Sequence, residues 1–236
     1  MLIVYCLFII LTMLSGIRVI IWDFDGTLYP MNRDINRAME EEQYRTIMRY
    51  KKCGKEEAEK IFWSVYPATT TSGNAAVGII CGIPTAQAAS ENEQNFNRLP
   101  YIQKDTKLID LFKKLIGFSH YILGNGVKKK LEETVRRLGI PDGTFEEIVT
   151  SETVGVNKPD TAGFRYIMQK SGYHPGEHLM VGDREIVDLA PAKSLGIKTC
   201  LVTWGNAYPE LTKIRDVSSS VDVFVSTVYD VAPLLL

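Results

Sequence analysis

This chain of 236 residues contains few cysteines and histidines, and its net charge is close to zero. The formal net charge of −1 gives no electrostatic reason to expect a nucleic-acid partner. The histidines are too few and too dispersed for a zinc site. The cysteines lack paired spacing, which argues against a metal cluster or a disulfide framework and predicts a reducing, cytoplasmic location. The residues concerned are His120, His174 and His178, and Cys6, Cys53, Cys81 and Cys200.

The sequence also lacks an uncharged hydrophobic run that is long enough to span a membrane. The stretch from Leu2 to Leu14 is apolar and uncharged, but a membrane-spanning helix needs about 20 such residues. No basic residue precedes it, unlike in a signal peptide, so a membrane location is not expected. Residues 1–17 therefore have three interpretations: a weak membrane anchor, a packed extra segment, or a start assigned too early. We favour the last, with Met13 as the true start.

Two carboxylates follow the first apolar run without a break. Val19–Trp22 is typical of a buried strand, and Asp23 and Asp25 come next, ahead of Gly26 and Thr27. Residues i and i+2 of a strand point to the same side, so we expect the two acids together at its carboxyl end. Burying neighbouring carboxylates costs free energy unless a cation or a proton offsets their charge. We therefore interpret the pair as chemical machinery and not as an ordinary polar turn.

Residues 32–100 have a mostly helical pattern. Amphipathic spacing predicts one helix that ends near Cys53, and a second helix over Glu56–Tyr66. Val77–Cys81 is the one stretch of this block that is also compatible with a strand. We interpret residues 32–100 as a helical cap, inserted into an α/β core formed by residues 18–31 and 101–236.

Apolar runs alternate with helical patterns in the rest of the chain. Helices of about 10–15 residues between short β runs indicate a doubly wound parallel sheet of the Rossmann-like α/β class. The predicted strands lie within Tyr121–Leu123, Phe145–Thr150, Leu179–Val181, Thr199–Val202 and Val221–Val225.

Polar residues follow several of these strands. In a parallel sheet all carboxyl ends face one edge, so residues distant in sequence converge there. Mg²⁺ prefers oxygen ligands, which carboxylates and a backbone carbonyl supply, and a lysine adds a positive charge for a phosphoryl group. The residues expected at this edge are Asp23, Asp25, Gly124, Asn125, Lys158, Asp183 and Asp188.

Three of these segments resemble motifs of the haloacid dehalogenase-like (HAD) phosphohydrolase superfamily. They are Asp23-Phe24-Asp25-Gly26-Thr27-Leu28, Lys158-Pro159-Asp160 and Gly182-Asp183 with Asp188, in the superfamily's order. The resemblance covers the chain from about Arg18 to the end. Tyr29-Pro30 and the helical insert are similar to pyrimidine 5′-nucleotidase-like members, whereas Thr203-Trp204-Gly205 is similar to phosphoglycolate phosphatases.

The resemblance implies a role for each matching residue. Asp23 is the nucleophile that forms an aspartyl-phosphate, and Asp25 is the general acid and then the general base. Asp23, the Asp25 backbone carbonyl and Asp183 bind Mg²⁺, while Asp188 supports that metal site from just outside it. Lys158 offsets negative charge and binds the phosphoryl group. The presence of Asp25 points to phosphoryl transfer, because dehalogenase members lack an acid there.

Gly124 departs from the superfamily pattern, which places Ser or Thr at this position. The missing hydroxyl removes one donor to the phosphoryl oxygens, and losing such a donor costs on the order of 10²–10³ in rate. We expect the backbone N–H groups of Gly124 and Asn125, with the Asn125 amide, to substitute as substrate-binding donors. The enzyme is therefore expected to work, but slowly.

The leading hypothesis is a Mg²⁺-dependent phosphomonoesterase acting on a small phosphorylated metabolite, such as a nucleotide, phosphoglycolate or a sugar phosphate. A phosphosugar mutase of the same superfamily and a non-catalytic binding protein are the alternatives. Lys128-Lys129-Lys130 is interpreted mainly as a solvated helix face. The insert aromatics Phe62, Trp63 and Tyr66 are interpreted as core residues in preference to a substrate pocket. The sequence does not predict an oligomeric state.

Overall fold

The computed structural model describes residues 14–69, 72–204 and 219–236. The predictions about residues 1–13, including Met13 as a start, lie outside the described residues. Leu14 and Ile17 are buried against the main core, 4% and 6% exposed. No helix in the described ranges is both long and apolar enough to cross a membrane.

Within the described ranges, six parallel strands form one sheet, in the order β3-β2-β1-β4-β5-β6. The strands are β1 (Val19–Trp22), β2 (Ser119–Leu123), β3 (Glu147–Val149), β4 (His178–Gly182), β5 (Lys198–Val202) and β6 (Val223–Val225). The order reverses between β1 and β4, as in doubly wound folds, and ligands bind at such switch points. The predicted fold class is confirmed.

Strand β1 lies at the centre of the sheet and is fully buried. Its alternate side chains enter two different hydrophobic clusters: Ile20 and Trp22 pack in one, Val19 and Ile21 in the other. A strand covered on both faces needs a continuous apolar run, which is why the sequence here has no polar alternation.

Within residues 32–100 the structure describes four α-helices: α1 (Arg33–Lys51), α2 (Lys55–Val65), α3 (Gly73–Cys81) and α4 (Thr85–Asn95). Helix α1 begins at Asn32, whose side chain accepts hydrogen bonds from the N–H groups of Asp34 and Ile35, as N-cap residues do. These helices bury a hydrophobic cluster of their own, which contains Tyr44, Ile47, Ala58, Phe62, Ala76, Val77, Ile80 and Ala88.

The possible strand at Val77–Cys81 is wrong, because this run is the second half of α3. The Ser72 hydroxyl caps the helix by accepting from the N–H of Ala75, and Gly82 ends it with φ +71°. A short apolar run does not distinguish a buried strand from a buried helix, and here the two caps decide.

The remaining helices lie in the connections between the strands and after the last strand. They are α5 (Thr106–Lys114), α6 (Lys128–Leu138), α7 (Ser151–Val154), α8 (Ala162–Ser171), α9 (Ala190–Ser194) and α10 (Ala232–Leu235), with a π-helical turn at Glu185–Leu189. Helices α5 and α6 each bury one apolar face.

The strand register sets which residues share the carboxyl edge of the sheet. Trp22, the last residue of β1, pairs with Ile122 of β2 and with Val181 of β4. The residues that follow these positions, Asp23 and Asp183 among them, therefore emerge at the same level. This alignment places the polar ends of three neighbouring strands beside one another.

Candidate active site

Asp23 continues directly from β1 and is fixed by its surroundings. Its N–H donates to the Val181 carbonyl at 2.8 Å, which extends the β1–β4 ladder by one residue. The Thr27 hydroxyl donates to Asp23 Oδ2 at 2.9 Å from the turn that follows. Oδ1 accepts from Lys158 instead, so the carboxylate is held in one orientation within a buried site.

Lys158 is a buried cation between two carboxylates. Its Nζ lies 2.6 Å from Asp23 Oδ1 and 2.7 Å from Asp188 Oδ1, and its side chain is 1% exposed. Asn125 holds the backbone of this lysine, donating from Nδ2 to the Lys158 carbonyl at 2.9 Å and accepting from the Lys158 N–H at 2.8 Å. Lys158 is thus positioned by the loop after β2.

Asp183 and Asp188 complete the acidic cluster. Carboxylate oxygens of Asp23, Asp183 and Asp188 all lie within 4.8 Å of one another. Asp188 Oδ2 accepts from the Arg184 N–H at 3.0 Å, while its other oxygen faces Lys158. Asp183 Oδ1 is buried and accepts no hydrogen bond within the described part of the chain.

Charge and burial shift the proton affinities of these groups in opposite directions. Burial alone would raise the pKa of Asp23, but the charges of Lys158 and Arg184 outweigh it and hold that pKa below its usual range. Burial and the nearby charge of Asp23 raise the pKa of Asp183 well above its usual range, and they also raise that of Asp188. Burial would lower the pKa of Lys158, but Asp188 and Asp23 raise it instead.

The donor set fits a hard divalent cation. Closely spaced carboxylates are the ligands that Mg²⁺ prefers, and Asp183 Oδ1, which accepts no hydrogen bond within the described residues and lies 3.8 Å from Arg184 Nε, offers a position for it. Burial and, after it, the nearby charge of Asp23 raise the pKa of Asp183, so its negative charge is costly in the metal-free site. A cation bound here would reduce that cost.

Gly26 allows the chain to pass against Asp183. Its φ is +87°, and a Cβ added there would overlap the Asp183 carboxylate. Both the backbone conformation and the close approach therefore require glycine at this position.

The Asp25 carboxylate lies apart from the Asp23–Asp183–Asp188 cluster. The sequence predicts that Asp23 and Asp25 point to the same side because they are two residues apart in a strand. Strand β1 ends at Trp22, however, so neither acid lies in the strand and the alternation of side chains does not extend to them. The Asp25 carboxylate accepts a hydrogen bond from the Tyr29 hydroxyl and faces the guanidinium of Arg98. A metal-binding role for Asp25 through its backbone carbonyl stays a prediction.

Gly124 does not supply the backbone donor that was expected of it. Its N–H donates to the Val149 carbonyl at 3.0 Å, continuing the β2–β3 ladder, and that hydrogen bond makes it unavailable to a phosphoryl oxygen. A Cβ at Gly124 would lie 2.6 Å from Leu131 Cδ2. The space next to Gly124 is therefore filled by leucine. Substrate contacts from Asn125 stay a prediction.

Two interpretations of the surroundings also change. Lys130 is only partly exposed, and its Nζ donates to the carbonyls of Gln94 at 2.7 Å and Phe96 at 2.8 Å, so it binds the carboxyl end of α4. Phe62 is buried in the α1–α4 cluster as expected, whereas Trp63 is 45% exposed and donates to the Tyr44 hydroxyl.

Sequence reasoning missed the contributions of Thr27, Arg98 and Lys130. Thr27 carried a signal, since it belongs to the Asp-x-Asp-Gly-Thr segment. Arg98 lies 73 positions from Asp25 in an aperiodic loop, and no local pattern predicts their contact. Lys130 was obscured by two lysines beside it.

The comparisons with known proteins agree with this fold. A family model described as haloacid dehalogenase-like hydrolase matches residues 20–202. This is well over half of the chain, and the chain belongs to the haloacid dehalogenase-like hydrolase family. The family-level prediction is confirmed.

Several relatives named as phosphatases are similar to this chain, some over less than half of its length and others over most of it. The glyceraldehyde 3-phosphate phosphatase of Methanocaldococcus jannaschii is 34% identical over 106 residues, a match that spans only 45% of each protein. The phosphoglycolate phosphatase of Aquifex aeolicus is 27% identical over 200 residues, 80% of this chain and 85% of that protein. A HAD phosphatase structure from Thermococcus onnurineus superposes with a TM-score of 0.63 at 20% identity, covering 92% of this chain and 97% of that one, and shows the same fold.

Proposed function

We propose that this protein is a Mg²⁺-dependent phosphomonoesterase that works through an aspartyl-phosphate on Asp23. The observation that carries the proposal is the buried contact of Lys158 Nζ with both Asp23 and Asp188, with Asp183 beside them. Relatives named as phosphatases of glyceraldehyde 3-phosphate and phosphoglycolate support the reaction class.

In the first half-reaction an Asp23 oxygen attacks phosphorus. The bond between phosphorus and the ester oxygen breaks as the bond to Asp23 forms, and Asp25 gives its proton to the departing alkoxide. The lowered pKa of Asp23 keeps it ionised, and the Thr27 hydroxyl and Lys158 fix its orientation. Lys158 also opposes the repulsion between an anionic nucleophile and an anionic phosphoryl group.

In the second half-reaction a water molecule attacks phosphorus of the aspartyl-phosphate. Asp25, now ionised, takes a proton from that water, the Asp23–phosphorus bond breaks, and inorganic phosphate is released. The same carboxyl therefore acts first as acid and then as base.

Asp23, Asp183 and the Asp25 backbone carbonyl would hold Mg²⁺, with Asp188 supporting the site through Lys158. A bound Mg²⁺ supplies positive charge that stabilises the phosphoryl oxygens in the transition state. We infer that this cation is part of the working enzyme, because Asp183 Oδ1 is buried in the acidic cluster and accepts no hydrogen bond within the described residues.

Residues 32–100 would form the cap, with the α/β core on either side of it in sequence. Its helices have their own hydrophobic cluster, and the chain returns from them through Arg98 directly beside Asp25. Closure of such an element excludes water during phosphoryl transfer and selects the leaving group. We propose a small phosphorylated metabolite as substrate. We also propose a cytoplasmic location, because the four cysteines of the sequence lack the paired spacing of a disulfide framework.

The test is hydrolysis of p-nitrophenyl phosphate by wild-type protein and by Asp23→Asn, with Mg²⁺. We expect the variant to lose at least about 10³-fold in kcat, since it lacks the nucleophile. Asp110→Asn is the matched control, because Asp110 is exposed and forms an ion pair with Lys113 of the same helix.

Comparable activity in Asp23→Asn and wild type would overturn the nucleophile assignment. Phosphate release without any sugar bisphosphate activator would support hydrolysis over the mutase alternative. A wild-type protein with neither phosphatase activity nor Mg²⁺-dependent thermal stabilisation would overturn the proposal in favour of a binding protein.

A further inference from the structure

We propose that Arg98 is a positioning residue that holds the Asp25 carboxyl in place for proton transfer. This inference rests on the proposed phosphatase function. Arg98 Nε lies 3.2 Å from Asp25 Oδ1, and its NH2 group lies 3.4 Å from Asp25 Oδ2. The guanidinium thus faces both oxygens of the carboxylate, which fixes the plane of that group as well as its distance.

The burial of Arg98 is the first argument for a specific role. Its side chain is 2% exposed, whereas that of Asp25 is 29% exposed. Buried arginines are rare because removing the guanidinium from water is costly unless charged partners surround it. The charges of Asp25 and Glu93 supply that compensation, and together with Tyr29 they raise the pKa of Arg98 despite its burial.

Glu93 binds the NH2 group of the guanidinium, the same nitrogen that faces Asp25 Oδ2. Arg98 NH2 lies 2.5 Å from Glu93 Oε1, and the guanidinium carbon lies 5.3 Å from the centre of the Phe96 ring. The Arg98 guanidinium is therefore held by Glu93 and Phe96, which are close to it in sequence, in addition to its contact with Asp25. An arginine fixed in this way can orient a carboxylate, because little of its own freedom is left to lose.

Tyr29 is a second donor to the Asp25 carboxylate and contacts the same oxygen as Arg98 Nε. Its hydroxyl donates to Asp25 Oδ1, and burial together with the charge of Asp25 raises the pKa of Tyr29 well above its usual value. Asp25 is held between a donor from the loop after β1 and a donor from the chain that returns from the helical insert.

The segment that carries Arg98 is itself attached to the core. Lys130 of α6 donates to the carbonyls of Gln94 and Phe96, at the end of α4. Gly126 lies against Glu93, since a Cβ at that glycine would be 3.1 Å from Glu93 Oε1. The contacts give Asp25 a connection through Arg98 and Glu93 to the helical insert and to the loop after β2.

This arrangement predicts an effect on one chemical event, protonation of the leaving group. Phenyl phosphate needs more help from an acid than p-nitrophenyl phosphate, because phenoxide is the poorer leaving group. The two substrates are otherwise similar in shape. A residue that acts through the general acid should therefore change the ratio of their kcat/KM values.

The experiment measures kcat/KM of wild type, Arg98→Met, Arg98→Lys and Asp25→Asn with both substrates. General acid catalysis contributes about 10²–10⁴-fold, so we expect Arg98→Met to lose at least about tenfold more on phenyl phosphate than on p-nitrophenyl phosphate. Arg98→Lys keeps the charge but not the fork, and we expect an intermediate ratio. In the double variant Asp25→Asn with Arg98→Met, the ratio should match that of Asp25→Asn alone.

Arg49→Met is the matched control, because Arg49 of α1 is exposed and forms its ion pair with Glu91 of α4, and among the described residues it has no contact with Asp25. Its ratio should equal that of wild type. An equal loss on both substrates in folded Arg98→Met and Arg98→Lys would overturn the positioning role, while the phosphatase assignment would stand as long as Asp23→Asn is inactive. An inactive wild type or an active Asp23→Asn would overturn the phosphatase assignment instead.

Discussion

Asn125 and Lys158 are joined by two hydrogen bonds that run in opposite directions, side-chain amide to backbone carbonyl and backbone N–H to side-chain oxygen, at 2.9 and 2.8 Å. The pair connects the loop after β2 to the loop that carries the cation of the site. The lysine side chain is then left free to contact Asp23 and Asp188.

Replacing Asn125 with Ala should loosen Lys158 without removing it. Each of the two hydrogen bonds contributes about 0.5–1.5 kcal/mol, so we expect kcat to fall about tenfold while the protein remains folded. Steady-state kinetics and thermal unfolding check this together. Unchanged kcat would show that the two bonds do not position Lys158.

Asp183→Asn should separate the electrostatic cost of the acidic cluster from its function. Burial and the charge of Asp23 raise the pKa of Asp183, so neutralising it relieves repulsion in the metal-free protein. We expect the metal-free variant to unfold at a temperature equal to or above that of metal-free wild type, yet to gain no stability from Mg²⁺ and to lose activity. Stabilisation by Mg²⁺ equal to that of wild type would contradict the ligand assignment.

Gly124→Ser should restore a hydroxyl only if Leu131 yields space. A Cβ at Gly124 would meet Leu131 Cδ2 at 2.6 Å, and overpacking of this kind costs about 1–3 kcal/mol. We expect Gly124→Ser alone to be destabilised. When Gly124→Ser is combined with Leu131→Val, we expect kcat to be at least about tenfold higher than that of Leu131→Val alone, because the new hydroxyl would donate to a phosphoryl oxygen. A double variant slower than Leu131→Val would show that Gly124 is not a deficit.

His120 predicts a pH dependence of stability. Burial lowers its pKa in the folded chain, where Nδ1 accepts from Trp22 Nε1 at 3.1 Å and Nε2 lies 3.0 Å from the Leu115 carbonyl. The neutral ring is therefore favoured in the folded state, and its contribution is present above the unfolded pKa of about 6.5. It is lost as the pH falls from there towards the folded pKa, because the unfolded chain binds the proton first.

The difference in unfolding free energy between wild type and His120→Gln should shrink below pH 6.5, by at most about 1.4 kcal/mol per pH unit. Urea unfolding at several pH values measures it, with His174→Gln in an exposed turn as the matched control. A constant difference from pH 7 to pH 5 would contradict the assignment of a neutral buried His120.

The sheet and most of its edge were predictable because parallel strands leave simple signals. Buried runs such as Val19–Trp22 are continuous and apolar, and the polar residues that follow them must converge at one edge. Asp23, Asp183 and Asp188 were placed together on that reasoning alone, and the structure brings them together.

The other features of the site and of the insert were not predictable, because they depend on contacts between residues that are distant in sequence or on caps that a local pattern does not reveal. Arg98 meets Asp25 across 73 positions, and the use of the Gly124 N–H by Val149 follows from strand register. Val77–Cys81 was ambiguous because five apolar residues fit either a strand or a helix, until the caps of α3 are known.

The central claim is that Asp23 carries the phosphoryl group during turnover. Wild-type protein can be quenched in acid while it hydrolyses p-nitrophenyl phosphate with Mg²⁺, reduced with borohydride, and digested for mass spectrometry. An acyl-phosphate is reduced to the alcohol, so we predict homoserine at position 23 and unmodified aspartate at positions 25, 183 and 188. Reduction at another carboxylate, or active turnover with no reduced residue at position 23, would contradict the account.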